Sequence, residues 1–275
     1  LKRLSLYCII LTGLKNVLEG GIIMSGHSKW AGIKHKKAAI DAKRGKIFTK
    51  LIKEITVAAR EGGGNPDANP RLRTAIQNAK AQNVPNDKIE TSILRGTGQL
   101  PGLSYEEVTY EGYGPGGVAI IVEVVTDNKN RAISDMRYIF SKNGGNLGER
   151  GSVAWMFSKK GLITIDKDKA NEDDLIAIAL DAGAEDIQVK DDSYEIITTP
   201  DNFEAVKKAI DEAGIETVLA QVSMIPQTSV VVEGKEAHQV LKLMEALEDY
   251  DDTQNVYSNF DIADDILEKA AQEAA

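Results

Sequence analysis

Residues Leu162–Ile225 read LITIDKDKANEDDLIAIALDAGAEDIQVKDDSYEIITTPDNFEAVKKAIDEAGIETVLAQVSMI, and the order of elements in this stretch decides the fold. Leu162–Ile165 is a short β-branched run, which predicts a strand. Glu172–Ala182 carries apolar residues at helical spacing. Asp186–Lys190 and Tyr194–Thr199 read as two further strands, Phe203–Ala213 as a second helix and Thr217–Ile225 as a last strand. The order βαββαβ is that of the ferredoxin-like split β-α-β arrangement.

The flanking segments complete a second α/β unit. Upstream, Tyr105–Tyr113 alternates, Gly114-Pro115-Gly116-Gly117 turns, and Val118–Thr126 (VAIIVEVVT) is the strongest strand of the chain. Asn130–Lys142 is helical, and Ser152–Ser158 (SVAWMFS) is expected as a third strand. Downstream, Lys235–Leu247 supplies a helix and Val256–Phe260 a strand. Residues 105–159 plus 227–275 are therefore expected to form one discontinuous α/β domain, with 160–226 inserted.

Ahead of residue 105 the pattern is helical. A first helix is expected over Ala31–Lys43, with Gly45 separating it from an amphipathic helix that begins at Lys46. That helix ends at Gly62-Gly63-Gly64-Asn65-Pro66. Asn69-Pro70 has the form of a cap followed by a first-turn proline. It opens a helix from Arg71 to about Gln82, whose predicted buried face is Leu72, Ala75, Ile76 and Ala79. A short helix over Lys88–Leu94 follows, and Gly96–Ser104 is a linker by composition. The expected fold class is α+β: a basic helical bundle over 24–100, then two ferredoxin-like α/β domains, one inserted in the other.

Charge is unevenly distributed along this plan. Residues 24–100 hold 15 Lys/Arg against 6 Asp/Glu, while residues 101–275 hold 15 against 35. A whole-chain net charge of −9 thus conceals a basic module of +9 and an acidic body of −20. An acidic body is repelled by phosphate, so a polyanion is expected to meet the N-terminal module. The charge there is densest in SGHSKWAGIKHKKAAIDAKRGKIFTKLIKEITVAAR (Ser25–Arg60). Ile47, Phe48, Leu51, Ile52, Ile55, Ala58 and Ala59 share one face of the second helix, and Lys46, Lys50, Lys53 and Arg60 the other. Such a face is either solvated or meets an anionic partner. Lys29, Lys34, Lys36, Lys37, Lys43 and Arg44 continue the excess upstream, and Arg71 and Arg73 add to it. Trp30 and His35 lie among these bases; they fit stacking on bases or ribose, and Trp30 equally fits a core anchor. These residues are the candidate nucleic-acid contacts. No helix rich in Asn, Gln and Arg and directed at base edges stands out, so strong sequence specificity is not expected.

Other chemistries are poorly supported. One cysteine, Cys8, rules out an intramolecular disulfide and fits a reducing compartment. Three histidines with that cysteine argue against a zinc site, and no cofactor is expected. Gly112-x-Gly114-x-Gly116-Gly117 lies between two strands, which suits a hairpin rather than a dinucleotide cradle. The acids Asp249, Asp251 and Asp252 are adjacent and read as a solvated run. Glu106, Glu107, Glu111 and Glu123 read as exposed strand residues. In Thr126-Asp127-Asn128-Lys129-Asn130-Arg131, Asp127 or Asn128 is expected to cap the following helix. No catalytic constellation emerges. The apolar run Leu4–Leu14 is too short to span a bilayer. Residues 1–23 are read as an upstream extension, with Met24 as the expected start.

The chain resembles the YebC/PmpR family, which includes the mitochondrial translational activator of cytochrome c oxidase. The resemblance rests on MSGHSKWAGIKHKKAAIDAKRGKIFTKLIKEI (Met24–Ile55), NPRLRTAIQNAK (Asn69–Lys80), GPGGVAIIVE (Gly114–Glu123), TDNKNR (Thr126–Arg131) and NGGNLGERGSVAWMF (Asn143–Phe157). It implies a cytoplasmic, non-enzymatic protein with a helical N-terminal domain and two α/β domains. It further implies a DNA-binding transcriptional regulator or a ribosome-associated translation factor, and it does not choose between DNA and ribosomal RNA.

Overall fold

The computed structural model describes residues 41–190, 192–263 and 266–267, with side chains from Gly45 onward. The described residues up to Trp155, together with those from Val230, form one compact unit; Met156–Ser229 form another.

Among the described residues, the larger unit opens with the helices α1 (Asp41–Gly62), α2 (Pro70–Ala81) and α3 (Asn86–Gly96). Helix α1 runs unbroken through Gly45, so this glycine is not the separator expected from sequence. An interior glycine costs a helix about 1 kcal/mol, too little to stop one anchored by a packed face. That face is Ile55, Ala58 and Ala59, which pack on Leu72, Ala75 and Ala79 of α2 and on Val84 and Ile89. Asn69 joins the first two helices. Its Oδ1 accepts from Leu72 N at 3.1 Å, capping α2, while its Nδ2 donates to the carbonyls of Ala58 and Gly63, each at 2.8 Å.

Strands β1 (Glu106–Tyr113) and β2 (Ala119–Thr126) follow as an antiparallel hairpin, then α4 (Lys129–Lys142) and a two-residue β3 (Asn146–Leu147). Gly116 and Gly117 close the hairpin at φ of 70° and 78°, values a side chain would strain. The chain then enters the second unit through β4 (Phe157–Asp166), α5 (Glu172–Asp181), β5 (Asp186–Val189), β6 (Ser193–Thr198), α6 (Phe203–Glu212) and β7 (Leu219–Pro226). Its sheet runs β5-β6-β4-β7, antiparallel throughout, which is the ferredoxin-like order. Leu175 and Ala179 of α5, and Phe203, Val206 and Ile210 of α6, pack on Ile163, Ile165, Tyr194 and Ile196.

The chain returns through β8 (Val230–Val231), α7 (Gly234–Glu248), β9 (Thr253–Ser258) and β10 (Phe260–Asp261). The larger unit's sheet runs β3-β1-β2-β9, and β8 and β10 pair in parallel beside it. Ile120, Val122 and Val124 of β2 meet Ala132, Met136 and Phe140 of α4 and Val240, Leu243, Met244 and Leu247 of α7 in one apolar core. The register between β2 and β9 slips at Glu123/Val124, where Asn255 and then Thr253 stand opposite. Such a bulge redirects the bulged strand, and here it lies next to Asp252, whose carbonyl accepts from Val125 N at 2.8 Å.

One expected strand is absent. Ser152–Ser158 does not extend as a unit: Ala154–Met156 form a 3-10 turn, and β4 starts at Phe157. The reason is Glu111, which is 4% exposed. Its carboxylate accepts from the backbone N–H of Gly151 at 2.7 Å and of Val153 and Ala154 at 2.8 Å. Those donors are the ones a strand would give to a neighbour. Glu111 is thus a buried organiser of the 151–154 loop rather than an exposed strand residue. Burial pushes its carboxyl up, and the three backbone donors outweigh burial and hold it below the ordinary carboxylate range.

Candidate nucleic-acid interface

Lys46, Lys50 and Lys53 stand at i, i+4 and i+7 of α1 and share one face, as the sequence predicts. They converge on the C-terminal end of α7. Lys46 Nζ donates to the Asp249 carbonyl at 3.1 Å, Lys50 Nζ to the Glu248 carbonyl at 2.8 Å, and Lys53 Nζ to the Asp251 carbonyl at 3.1 Å. The last carbonyls of a helix lack intrahelical donors and carry the negative end of its dipole. Lys46 and Lys50 supply what that end lacks, and Lys53 meets the turn just beyond it.

The packing deepens toward Lys53, whose Nζ lies 2.5 Å from Asp252 Oδ1. Asp252 Oδ2 accepts from Thr126 Oγ1 and from Arg131 NH2, each at 2.8 Å. Arg131 also reaches Asp127 at 2.7 Å. Burial alone pushes the Asp252 carboxyl up; the hydrogen bonds from Lys53, Arg131 and Thr126 together outweigh it and hold the group below the ordinary carboxylate range. The neighbouring Asn128 Oδ1 accepts from the backbone N–H of Asn130 and Arg131 at 3.1 Å, capping α4. Asn128 is therefore the cap residue of the TDNKNR segment, and Asp127 pairs with Arg131 instead.

These interactions correct two expectations for candidate site residues. Lys53 is 6% exposed and committed to Asp252, so it does not stand open to a phosphate. Arg71 is held by three carboxylates, those of Glu54 at 2.8 Å, Glu61 at 2.7 Å and Glu107. Burial lowers its guanidinium pKa, and the hydrogen bonds it donates to Glu107 and Glu54 more than reverse this, raising it. Arg71 ties α1, α2 and β1 together. In both cases the sequence showed the cation, while its carboxylate partner came from a segment far along the chain or from another element. Lys46 and Arg73 are exposed and Lys50 is half-buried. Lys43 and Arg44 lie on α1, with their side chains outside the described residues, as Lys29, Trp30, Lys34, His35, Lys36 and Lys37 are altogether.

Sequence reasoning missed Asp252 and Glu111 as organising groups. Asp252 is the last of a run of acids and carries no local mark; Glu111 sits in an alternating strand where its neighbours Glu106 and Glu107 are exposed. Among the described residues, no group of three or more His, Cys, Asp or Glu is placed to hold a metal ion, and no helix is long and apolar enough to cross a membrane.

The fold is a basic helical module followed by acidic α/β sheets. Two family models match the chain. The model for the TACO1/YebC protein N-terminal domain matches residues 28–99, and that for the TACO1/YebC second and third domain matches residues 105–260. The chain belongs to the TACO1/YebC family. It is 63% identical over 245 residues to a probable transcriptional regulatory protein of Desulforapulum autotrophicum, covering 89% of this chain and 99% of the relative. It is 60% identical over 249 residues to a protein of the same description from Syntrophobacter fumaroxidans, covering 90% and 100%. The crystal structure of a conserved hypothetical protein from Aquifex aeolicus superposes with a TM-score of 0.75 at 46% identity, covering 84% of this chain and 96% of that one.

Proposed function

We propose that this protein is a nucleic-acid-binding regulator of gene expression, a DNA-binding transcriptional regulator acting in the cytoplasm through its basic N-terminal module and not as an enzyme. The observation that carries this reading is the partition of charge, +9 on residues 24–100 against −20 on residues 101–275. A cationic module joined to an anionic body is attracted to a polyanion in one orientation only. The names of its relatives, probable transcriptional regulatory proteins, support the regulatory role. Lys29, Lys34, Lys36, Lys37, Lys43 and Arg44 are the proposed phosphate-binding groups, with Lys46 and Lys50 beside them and Trp30 and His35 as stacking groups.

A second reading, a translation factor bound to ribosomal RNA, rests on the same charge. It is favoured by the commitment of Lys53 and Arg71 to carboxylates, which leaves lysines suited to backbone phosphate and fewer groups for base edges. The two readings separate in a competition at fixed salt. Labelled duplex DNA is offered to the full chain against excess ribosomes, with a Lys34→Gln/Lys36→Gln/Lys37→Gln variant alongside. Ribosomes stripping the protein from DNA support translation; a promoter duplex that holds it against ribosomes and unrelated duplex supports transcription. For every lysine–phosphate pair that the variant abolishes, the slope of log K against log salt becomes shallower by about 0.7–0.9. An unchanged slope removes the three lysines from the interface.

A further inference from the structure

Helix α2 has a solvent face of unusual composition for this chain. Its twelve residues, PRLRTAIQNAKA, contain no Asp or Glu, in a protein where acids outnumber bases 42 to 33. Leu72, Ala75 and Ala79 are buried against the other two helices. On the opposite side Arg73, Thr74, Gln77, Asn78 and Lys80 are all exposed. Arg73, Gln77 and Lys80 stand at i, i+4 and i+7, in one row along the axis. Arg71, the remaining cation of the helix, points into the carboxylates of Glu54, Glu61 and Glu107 and holds α2 in place from behind.

We infer that this face of α2 is a base-reading surface that enters the major groove of duplex DNA, an inference that rests on the nucleic-acid reading above and assigns the part of the module that would carry specificity. The chemistry of the row matches what the groove displays. Arginine and lysine pair with the guanine O6 and N7 acceptors, and glutamine or asparagine amides pair with the adenine N6 and N7 edge. From Arg73 to Lys80 the row spans about 10 Å of helix, roughly three base-pair steps. Arg73 is exposed but tethered: its Nε donates to the Pro66 carbonyl at 3.1 Å and its NH2 to the Asp67 carbonyl at 3.4 Å, so Gln77 and Lys80 are the row's untethered readers. The cap on Asn69 and the Arg71 clamp give the helix a rigid mounting, which a reading surface requires. A-form RNA keeps its major groove too narrow for a helix, so the assignment selects DNA.

The test uses the full chain and duplexes of about 20 base pairs selected from a random pool near physiological salt. The expected result is an enriched motif of about three base pairs, bound at least tenfold more tightly than its scrambled counterpart. A Gln77→Ala variant should lose discrimination at one base pair of the motif while keeping its salt slope. A Lys80→Gln variant should weaken both duplexes, and thermal melting of each variant should match the parent because the side chains are exposed. A pool that yields no motif although duplex is retained overturns the assignment. So does an unchanged discrimination in the Gln77→Ala variant, or an RNA stem-loop that competes as well as the selected duplex. If the parent retains neither DNA nor RNA, the functional reading itself fails; binding that is indifferent to α2 sinks this surface alone.

Discussion

Lys53 Nζ and Asp252 Oδ1 lie 2.5 Å apart across 199 residues of chain, and each side chain is 8% exposed. This pair joins the basic helical module to the acidic α/β domain. The ion pair has two further donors on its acid, Thr126 and Arg131, and a carbonyl of Asp251 on its base. A buried pair satisfied on both sides holds one arrangement of two elements; removing one partner leaves a buried charge without compensation.

Replacing Lys53 with methionine keeps most of the side-chain volume and removes the charge. We expect destabilisation of about 3 kcal/mol, toward the lower end of the range for breaking a buried pair because Arg131 and Thr126 still serve Asp252. Denaturant unfolding of K53M against the parent measures it. A change below about 0.5 kcal/mol, the size of an ordinary surface substitution, would show that the pair is not structural.

Asp252 and Glu111 both have carboxyls held below their ordinary range in the folded protein. Their folded-state pKa values are depressed, so each favours folding fully above the unfolded carboxylate range, near pH 4, and this contribution is lost as pH falls through the folded values. Stability should therefore drop steeply below about pH 4. Glu111→Gln should flatten that drop and cost about 1–3 kcal/mol at neutral pH, since one amide oxygen replaces two carboxylate oxygens for three backbone donors. Amide hydrogen exchange at Gly151, Val153 and Ala154 should accelerate in the same variant.

Arg71 meets Glu54 through two parallel N–H···O bonds, at 2.8 and 3.1 Å, and reaches Glu61 and Glu107 with the rest of its fork. Lysine cannot reproduce that geometry. Arg71→Lys should cost about 1 kcal/mol at low salt, and less as salt rises, because the site is partly open to water and screened. Melting temperatures of the two proteins that differ equally at low and high salt would contradict this account.

Gly96 ends α3 where it crosses α1. A Cβ there would press on the Thr56 carbonyl and come within 2.8 Å of the Ala59 Cβ. Gly96→Ala should destabilise by about 1–3 kcal/mol through overpacking, despite the better helix propensity of alanine. An unchanged or raised unfolding midpoint would show that the two helices separate easily.

Much of the architecture could be read directly. The βαββαβ order of 162–225 appears as an antiparallel β5-β6-β4-β7 sheet, and Asn69-Pro70 opens α2 as its cap and first-turn proline. These features follow from residues a few positions apart. Gly45 and SVAWMFS depart from their local pattern for the opposite reason. A packed helix face overrode one glycine, and a glutamate some forty residues away took the donors that a strand would have used.

The amino-acid sequence alone determined the element order, the helical module ahead of the α/β domains, and the division into a basic and an acidic part, because periodicity, capping and charge are properties of short windows. Tertiary structure decided which charges are available. It sent Lys53 to Asp252 and Arg71 to three glutamates, and left Arg73, Gln77 and Lys80 in solvent. Two lysines on one helix face look alike in sequence; they differ once a buried carboxylate from the far end of the chain is brought against one of them. Charge pairing falls steeply with distance and solvent access, so it is settled only when folding sets both.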